Sequence, residues 1–213
     1  ETLAQESQKF SENLLDATNA YGLLVDDEKE LGGIPADDIA AFKETAQAAN
    51  QEGYRITLQI PHYLAVLQYA QNRKLRETLY HAYVIRASEL DFDGKFNNND
   101  VMRRIVELRA QEARLLGYKN YGEVSLATKM AKTPQEVVAF LRDLAQKSLP
   151  QAKADMAEVK AFAKDNLGIA DPQSWDLPYA SEKLREARYA YSDQEVKQYF
   201  TLPAVFNGLF GLV

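Results

Sequence analysis

Apolar residues recur at steps of three and four along most of this 213-residue chain, and that spacing predicts helix after helix. The first runs from about Thr2 to Ala20: Leu3, Phe10, Leu14, Leu15, Ala17 and Thr18 share one side, while Gln5, Gln8, Lys9 and Glu12 fall between them. After Tyr21-Gly22 the pattern contracts to Leu23-Leu24-Val25, closed by Asp26-Asp27-Glu28, which is the signature of a short strand and a turn. Gly32-Gly33 and Pro35 break the chain before a helix through Ala48. Asp37 and Asp38 stand in its first turn, where carboxylates meet unpaired N–H groups and the positive end of the dipole. Tyr54 to Ile60 alternates and is rich in aromatic and β-branched residues, so it is the second expected strand, paired with Leu23 to Val25 as the only β structure.

Everything from Pro61 onward reads as helical. One helix carries Tyr63, Leu64, Val66, Leu67 and Tyr69, and a second, from Lys74 to Ser88, carries Leu75, Leu79, Tyr80, Tyr83 and Val84. The oxygen-rich stretch DFDGKFNNND, Asp91 to Asp100, invites comparison with a calcium loop. Counting from Asp91, however, the Gly is fourth rather than sixth and the twelfth residue is Met102 rather than Glu, so a solvated loop capping the next helix through Asn99 or Asp100 is expected. That helix ends at Gly117. Thr133-Pro134-Gln135-Glu136 has the spacing of a capping box. The helix it opens keeps its apolar step through Val137, Leu141, Leu144, Ser148, Ala152, Met156, Val159 and Ala163 as far as Gly168. At 1.5 Å per residue it is about 50 Å long. Pro150 lacks an N–H and crowds the preceding turn, which predicts a kink near Gln146 to Leu149.

Composition narrows the function classes. A chain that is 46% hydrophobic and 26% charged builds a core, and a net charge of −6 opposes nucleic acid as a partner, because phosphate-tracking proteins concentrate positive charge. With no cysteine there is neither a disulfide framework nor a thiolate metal site, and the cytoplasm is the default compartment. No apolar run is long enough to span a membrane. His62 and His81, the only histidines, do not form HExxH, since each is followed by apolar and aromatic residues. No Gly-rich phosphate loop occurs. Glu52, Glu89, Glu107 and Glu112 fall on polar helix faces, and Tyr179, Tyr189, Tyr191 and Tyr199 read as core aromatics. No residue is therefore assigned a catalytic, cofactor-binding or metal-binding role. The C-terminal run containing Val205, Phe206, Leu209, Phe210, Leu212 and Val213 calls for apolar partners. The expectation is that residues 1–213 are one mostly helical region, incomplete at both ends.

Six segments in order carry a resemblance: FSENLLDATNAY, GYRITLQIPHYL, GKFNNNDVMRRIVELR, GYKNYGEVSLATKMAKTPQEVVAFL, WDLPYASEKLR and QYFTLPAVFNGLFGLV. Together they resemble the thimet oligopeptidase-like zinc metallopeptidases over essentially the whole chain. The resemblance implies a mainly α protein, a helical fragment of a two-lobed zincin-type oligopeptidase with one short two-stranded β element. It further implies that the complete protein hydrolyses short peptides between its lobes, using zinc held by HExxH and a further glutamate. In the family those residues follow the segment that resembles Tyr199 to Val213, so the resemblance implies an inactive portion. It transfers no catalytic or metal role to any residue here. One departure is Tyr179-Ala180, where the family often has two tyrosines. The alternative reading is a stand-alone helical interaction module without chemistry.

Overall fold

A computed structural model describes residues 2–91, 94–190 and 193–212. It is mainly α, and among the described residues strand is confined to one two-stranded sheet. The chain divides into two compact units.

The first unit gathers Glu1–Leu23, Thr57–Ile60 and Thr78–Glu158. Helix α1 (Thr2–Ala20) packs on α5 (Asn99–Leu115), and α5 on the short α6 (Tyr121–Leu126). Val101, Ile105 and Ala113, spaced four and eight apart, bury one side of α5 as periodicity requires. Its N-terminus differs from expectation. The polar run before it is not wholly solvated: Asn98 is buried, its Nδ2 donates to the Phe10 carbonyl at 3.0 Å, its Oδ1 accepts from Asn13 at 2.9 Å, and its backbone N–H donates to the Ala87 carbonyl at 2.9 Å. A buried amide with these partners ties α1 to the start of α5. Neither Asn99 nor Asp100 caps the helix. Asn98 occupies that position without a side-chain cap bond, and the Asn99 N–H is met by Asn97 Oδ1 at 3.0 Å. Phe92 and Asp93 of the same loop lie outside the described residues. Gly117, left-handed at φ 79°, ends α5 as expected.

Helix α7 (Pro134–Leu167) starts as the capping-box spacing requires, the Glu136 N–H donating to Thr133 Oγ1 at 3.2 Å. The reciprocal bond is displaced by one residue, Glu136 Oε2 accepting from the N–H of Lys132 at 3.0 Å. Pro150 does not divide the helix. Residues 134–158 of α7 belong to the first unit and residues 159–167 to the second.

The second unit holds Leu24–Ile56, Pro61–Glu77 and Val159–Val213. Strand β1 (Leu23–Val25) pairs with β2 (Tyr54–Ile56), and α2 (Ala36–Ala48) packs against β2. The second strand is shorter than its sequence pattern, which runs on to Ile60. Thr57 Oγ1 accepts from the Gln59 N–H, the chain bends, and α3 (Ile60–Tyr69) has already begun by the time Pro61 is reached. Leu31, Phe42, Ala46, Ile56, Val66 and Leu67 form the core. Two glycines are obligatory. Gly33 has φ 90°, and a Cβ there would stand 2.4 Å from the Tyr69 carbonyl oxygen; Gly53 has φ 91°, and its Cβ would stand 2.7 Å from that of Val25. Further along come α8 (Leu177–Tyr189), α9 (Asp193–Lys197) and α10 (Leu202–Leu212).

Candidate functional site

The most strongly built polar cluster lies in the second unit, where the first turn of α4 (Arg73–Ile85) meets the residues leading into α8. Asp176 is fully buried. Arg73 grips it through Nε at 3.1 Å and Nη2 at 2.7 Å, and Arg76, itself almost fully buried, donates from Nη2 at 2.8 Å. The Gln173 N–H adds a fourth donor at 3.0 Å. Arg73 and Arg76 are three residues apart on a helix, so both guanidinium groups reach the same side. Arg76 also donates from Nη1 to the Ala70 carbonyl at 2.6 Å and stacks over the Tyr179 ring, 4.3 Å from its centre. Burial pushes the Asp176 carboxyl up, but the hydrogen bonds from Arg73 and Arg76 outweigh it and hold the group below the usual carboxylate range.

A cleft of about 640 Å³ opens beside this cluster, lined among others by Arg73, Lys74, Glu77, Asp171, Gln173 and Trp175. Arg73 is half-exposed at its edge and Lys74 pairs with Glu77 at 3.0 Å. Arginine and an arginine-locked carboxylate do not exchange protons near neutral pH, so Arg73, Arg76 and Asp176 are not an acid–base centre. A second cleft, of about 540 Å³ in the first unit, has mostly apolar walls from Ala17, Ala20, Leu23 and Phe96, with Tyr21, Thr78 and Asp91 at its polar edge.

The two histidines fall in different units. His62 stands in the first turn of α3 with its ring edge-on to Phe42, centres 4.7 Å apart, and burial pushes its imidazole down against the opposing charge of Asp38. His81 is on α4 and exposed, edge-on to Tyr80. No group of three or more His, Cys, Asp or Glu among the described residues is placed to hold a metal ion. Glu52, Glu89 and Glu107 are exposed, as expected of polar faces; Glu89 accepts from Asn99 at 2.6 Å and Glu107 pairs with Arg104 at 3.4 Å.

The tyrosines correct the core reading. Tyr179 is half-buried under Arg76, but Tyr189, the last residue of α8, and Tyr199, in the turn after α9, are exposed; Tyr191 lies outside the described residues. Sequence reasoning missed Asp176 entirely. The only local hint was a carboxylate between Trp175 and Leu177-Pro178, and its two partners lie 100 and 103 residues away.

The model of "Peptidase family M3" matches residues 66–213. Oligopeptidase A from Salmonella typhimurium and that from Escherichia coli are each 45% identical to this chain over 212 residues, 99% of the chain and 31% of the relative. Probable cytosolic oligopeptidase A from Arabidopsis thaliana is 43% identical over 223 residues, 99% of the chain and 30% of that protein. The chain therefore spans less than a third of the length of these relatives. With well over half of its residues inside the family model, and the likeness to these relatives running nearly end to end, the chain belongs to peptidase family M3.

Proposed function

We propose that this chain is a non-catalytic, helical portion of a zinc metalloendopeptidase of the cytoplasm that hydrolyses short oligopeptides, and that alone it is inactive. The observation that carries the proposal is the 45% identity, across 99% of the chain, to oligopeptidase A proteins of which it spans 31%. A 31% identity over 209 residues to dipeptidyl carboxypeptidase from Escherichia coli supports the peptidase class by a second name. The residues described do not fit the metal: tight zinc sites assemble three or four His, Cys or carboxylate ligands, and no such group is formed among them. In this reading the zinc ligands and the catalytic groups belong to the rest of the polypeptide, and the clefts and helices here contribute wall and support. Among the described residues no helix is long and apolar enough to cross a membrane.

Two measurements test this. Reading the encoding frame beyond Val213 is expected to reveal HExxH, and a complete frame without it overturns the proposal. Metal analysis of the 213-residue chain after dialysis against a weak chelator is expected to find no retained zinc. One tightly held equivalent per chain would place the metal site in these residues instead.

A further inference from the structure

The exposed side of α7 calls for a partner. Val138, Leu141, Leu144, Leu149 and Met156 are each 41–54% exposed, a high value for large apolar side chains on one helix. At 100° per residue, Val137, Leu141, Leu144, Ser148, Ala152 and Met156 fall on one side, while Arg142, Asp143, Gln146, Lys147 and Lys153 fall on the other. Val137 to Met156 extends for about 30 Å, and all of it belongs to the first unit. The same apolar register continues into residues that are covered, for Val159 is half-buried and Ala163 fully buried within the second unit. On the polar side Lys147 pairs with Asp143 at 2.7 Å, while Gln151 and Asp155, which fall among the apolar residues, satisfy each other, Gln151 Nε2 donating to Asp155 at 2.7 Å. The partner meets one polar pair, Gln151 and Asp155, beside the apolar residues. It needs large aliphatic side chains to fill the gaps left by Ala145, Ser148 and Ala152, between Leu141, Leu144 and Met156.

We propose that the apolar side of α7 from Val137 to Met156 is the seat of a helix from the remainder of the complete polypeptide. The inference rests on the reading of this chain as a portion of a longer family M3 peptidase. The length of the relatives carries the choice of occupant: less than a third of each is matched by this chain, which leaves ample polypeptide to cover a stripe of this size. The alternation of small and large residues favours a helix, because knobs from one helix seat in gaps on another. Contiguous exposed apolar surface bordered by polar residues marks an interaction face.

Met156 supplies a readout that perturbs nothing. In peroxide footprinting with mass spectrometry, its oxidation is expected to be at least fivefold slower in the complete protein than in the 213-residue chain. Leu144→Glu in the complete protein is expected to restore the fast rate, whereas Gln146→Glu, on the polar side and ten residues from Met156, leaves it slow. Equal rates in the complete protein and the 213-residue chain overturn the proposal. A rate that falls with concentration in the short chain, yet is fast in the complete protein, assigns the face to a second copy and also overturns it. Should Leu144→Glu prevent folding, Leu144→Ala gives the same comparison with a smaller change. The footprint reads burial rather than peptide cleavage, so a protected Met156 in a protein that cleaves nothing would refute the peptidase reading and leave this one standing.

Discussion

At the scale of single residues, Asp176 carries the sharpest consequence. Replacing it with Ala leaves the buried Arg76 guanidinium without its countercharge, a change that costs about 3–5 kcal/mol when one partner of a buried pair is removed. Urea unfolding at neutral pH is expected to show a loss of that size, and a loss below about 1 kcal/mol, the range of an exposed ion pair, would contradict the role given to the pair. The pH dependence has a definite sign. Because the folded carboxyl lies below its ordinary value, its contribution is complete above the unfolded value of about 4 and is lost as the pH falls through the folded value. The gap between the native chain and Asp176→Asn should therefore narrow on acidification below about pH 4. Gly33 gives an independent check. Gly33→Ala meets both a left-handed backbone and the Tyr69 carbonyl, whereas Gly117→Ala meets the backbone alone, since nothing stands within 4 Å of a Cβ there. Gly117→Ala is expected to cost about 1–2 kcal/mol and Gly33→Ala clearly more. Local pattern could not have found Asp176 or Asn98, because what buries each is a partner far away along the chain. Gly33 was visible as a chain break, but not the carbonyl that forbids a side chain.

At the scale of elements, periodicity carried furthest where a helix has one buried side and a terminus set by a few residues. The capping-box start of α7 and the glycine stop of α5 both follow from residues within a turn of the boundary. It failed at β2, where an alternating pattern extends past Ile56 but the bend at Thr57 to Gln59 ends the strand. Alternation records which sides are apolar, not whether a neighbouring strand is long enough to pair. Within α7, Pro150 leaves the Gln146 carbonyl without its helical donor while the helix continues on both sides. Pro150→Ala is expected to strengthen this stretch by up to about 3 kcal/mol, visible as slower amide hydrogen exchange at residues 147–152. Unchanged exchange would mean that the proline does not weaken the helix locally.

At the scale of the whole molecule, the apolar C-terminal segment forms a helix whose Leu202, Val205, Phe206, Leu209, Phe210 and Leu212 are all exposed; Val213 lies outside the described residues. Phe206 and Phe210 stack on each other 6.2 Å apart, which shields part of their faces but leaves the rest in water. Covering such side chains is worth about 1.5–3 kcal/mol each. The 213-residue chain is therefore expected to self-associate more strongly than one ending at Tyr199, as size-exclusion chromatography of the two would show, and identical monomeric elution would contradict this.

The mainly helical class and the single two-stranded element were legible from spacing, and family membership from the resemblance of ordered segments. The candidate cleft was not legible, because Arg73 and Trp175 come together only through the fold. The account stands most directly on cleavage of a short peptide by the complete protein, followed by mass spectrometry with and without a zinc chelator. It predicts cleavage that the chelator abolishes and zinc restores, with no cleavage by the 213-residue chain; chelator-resistant cleavage, or none by the complete protein, would contradict it.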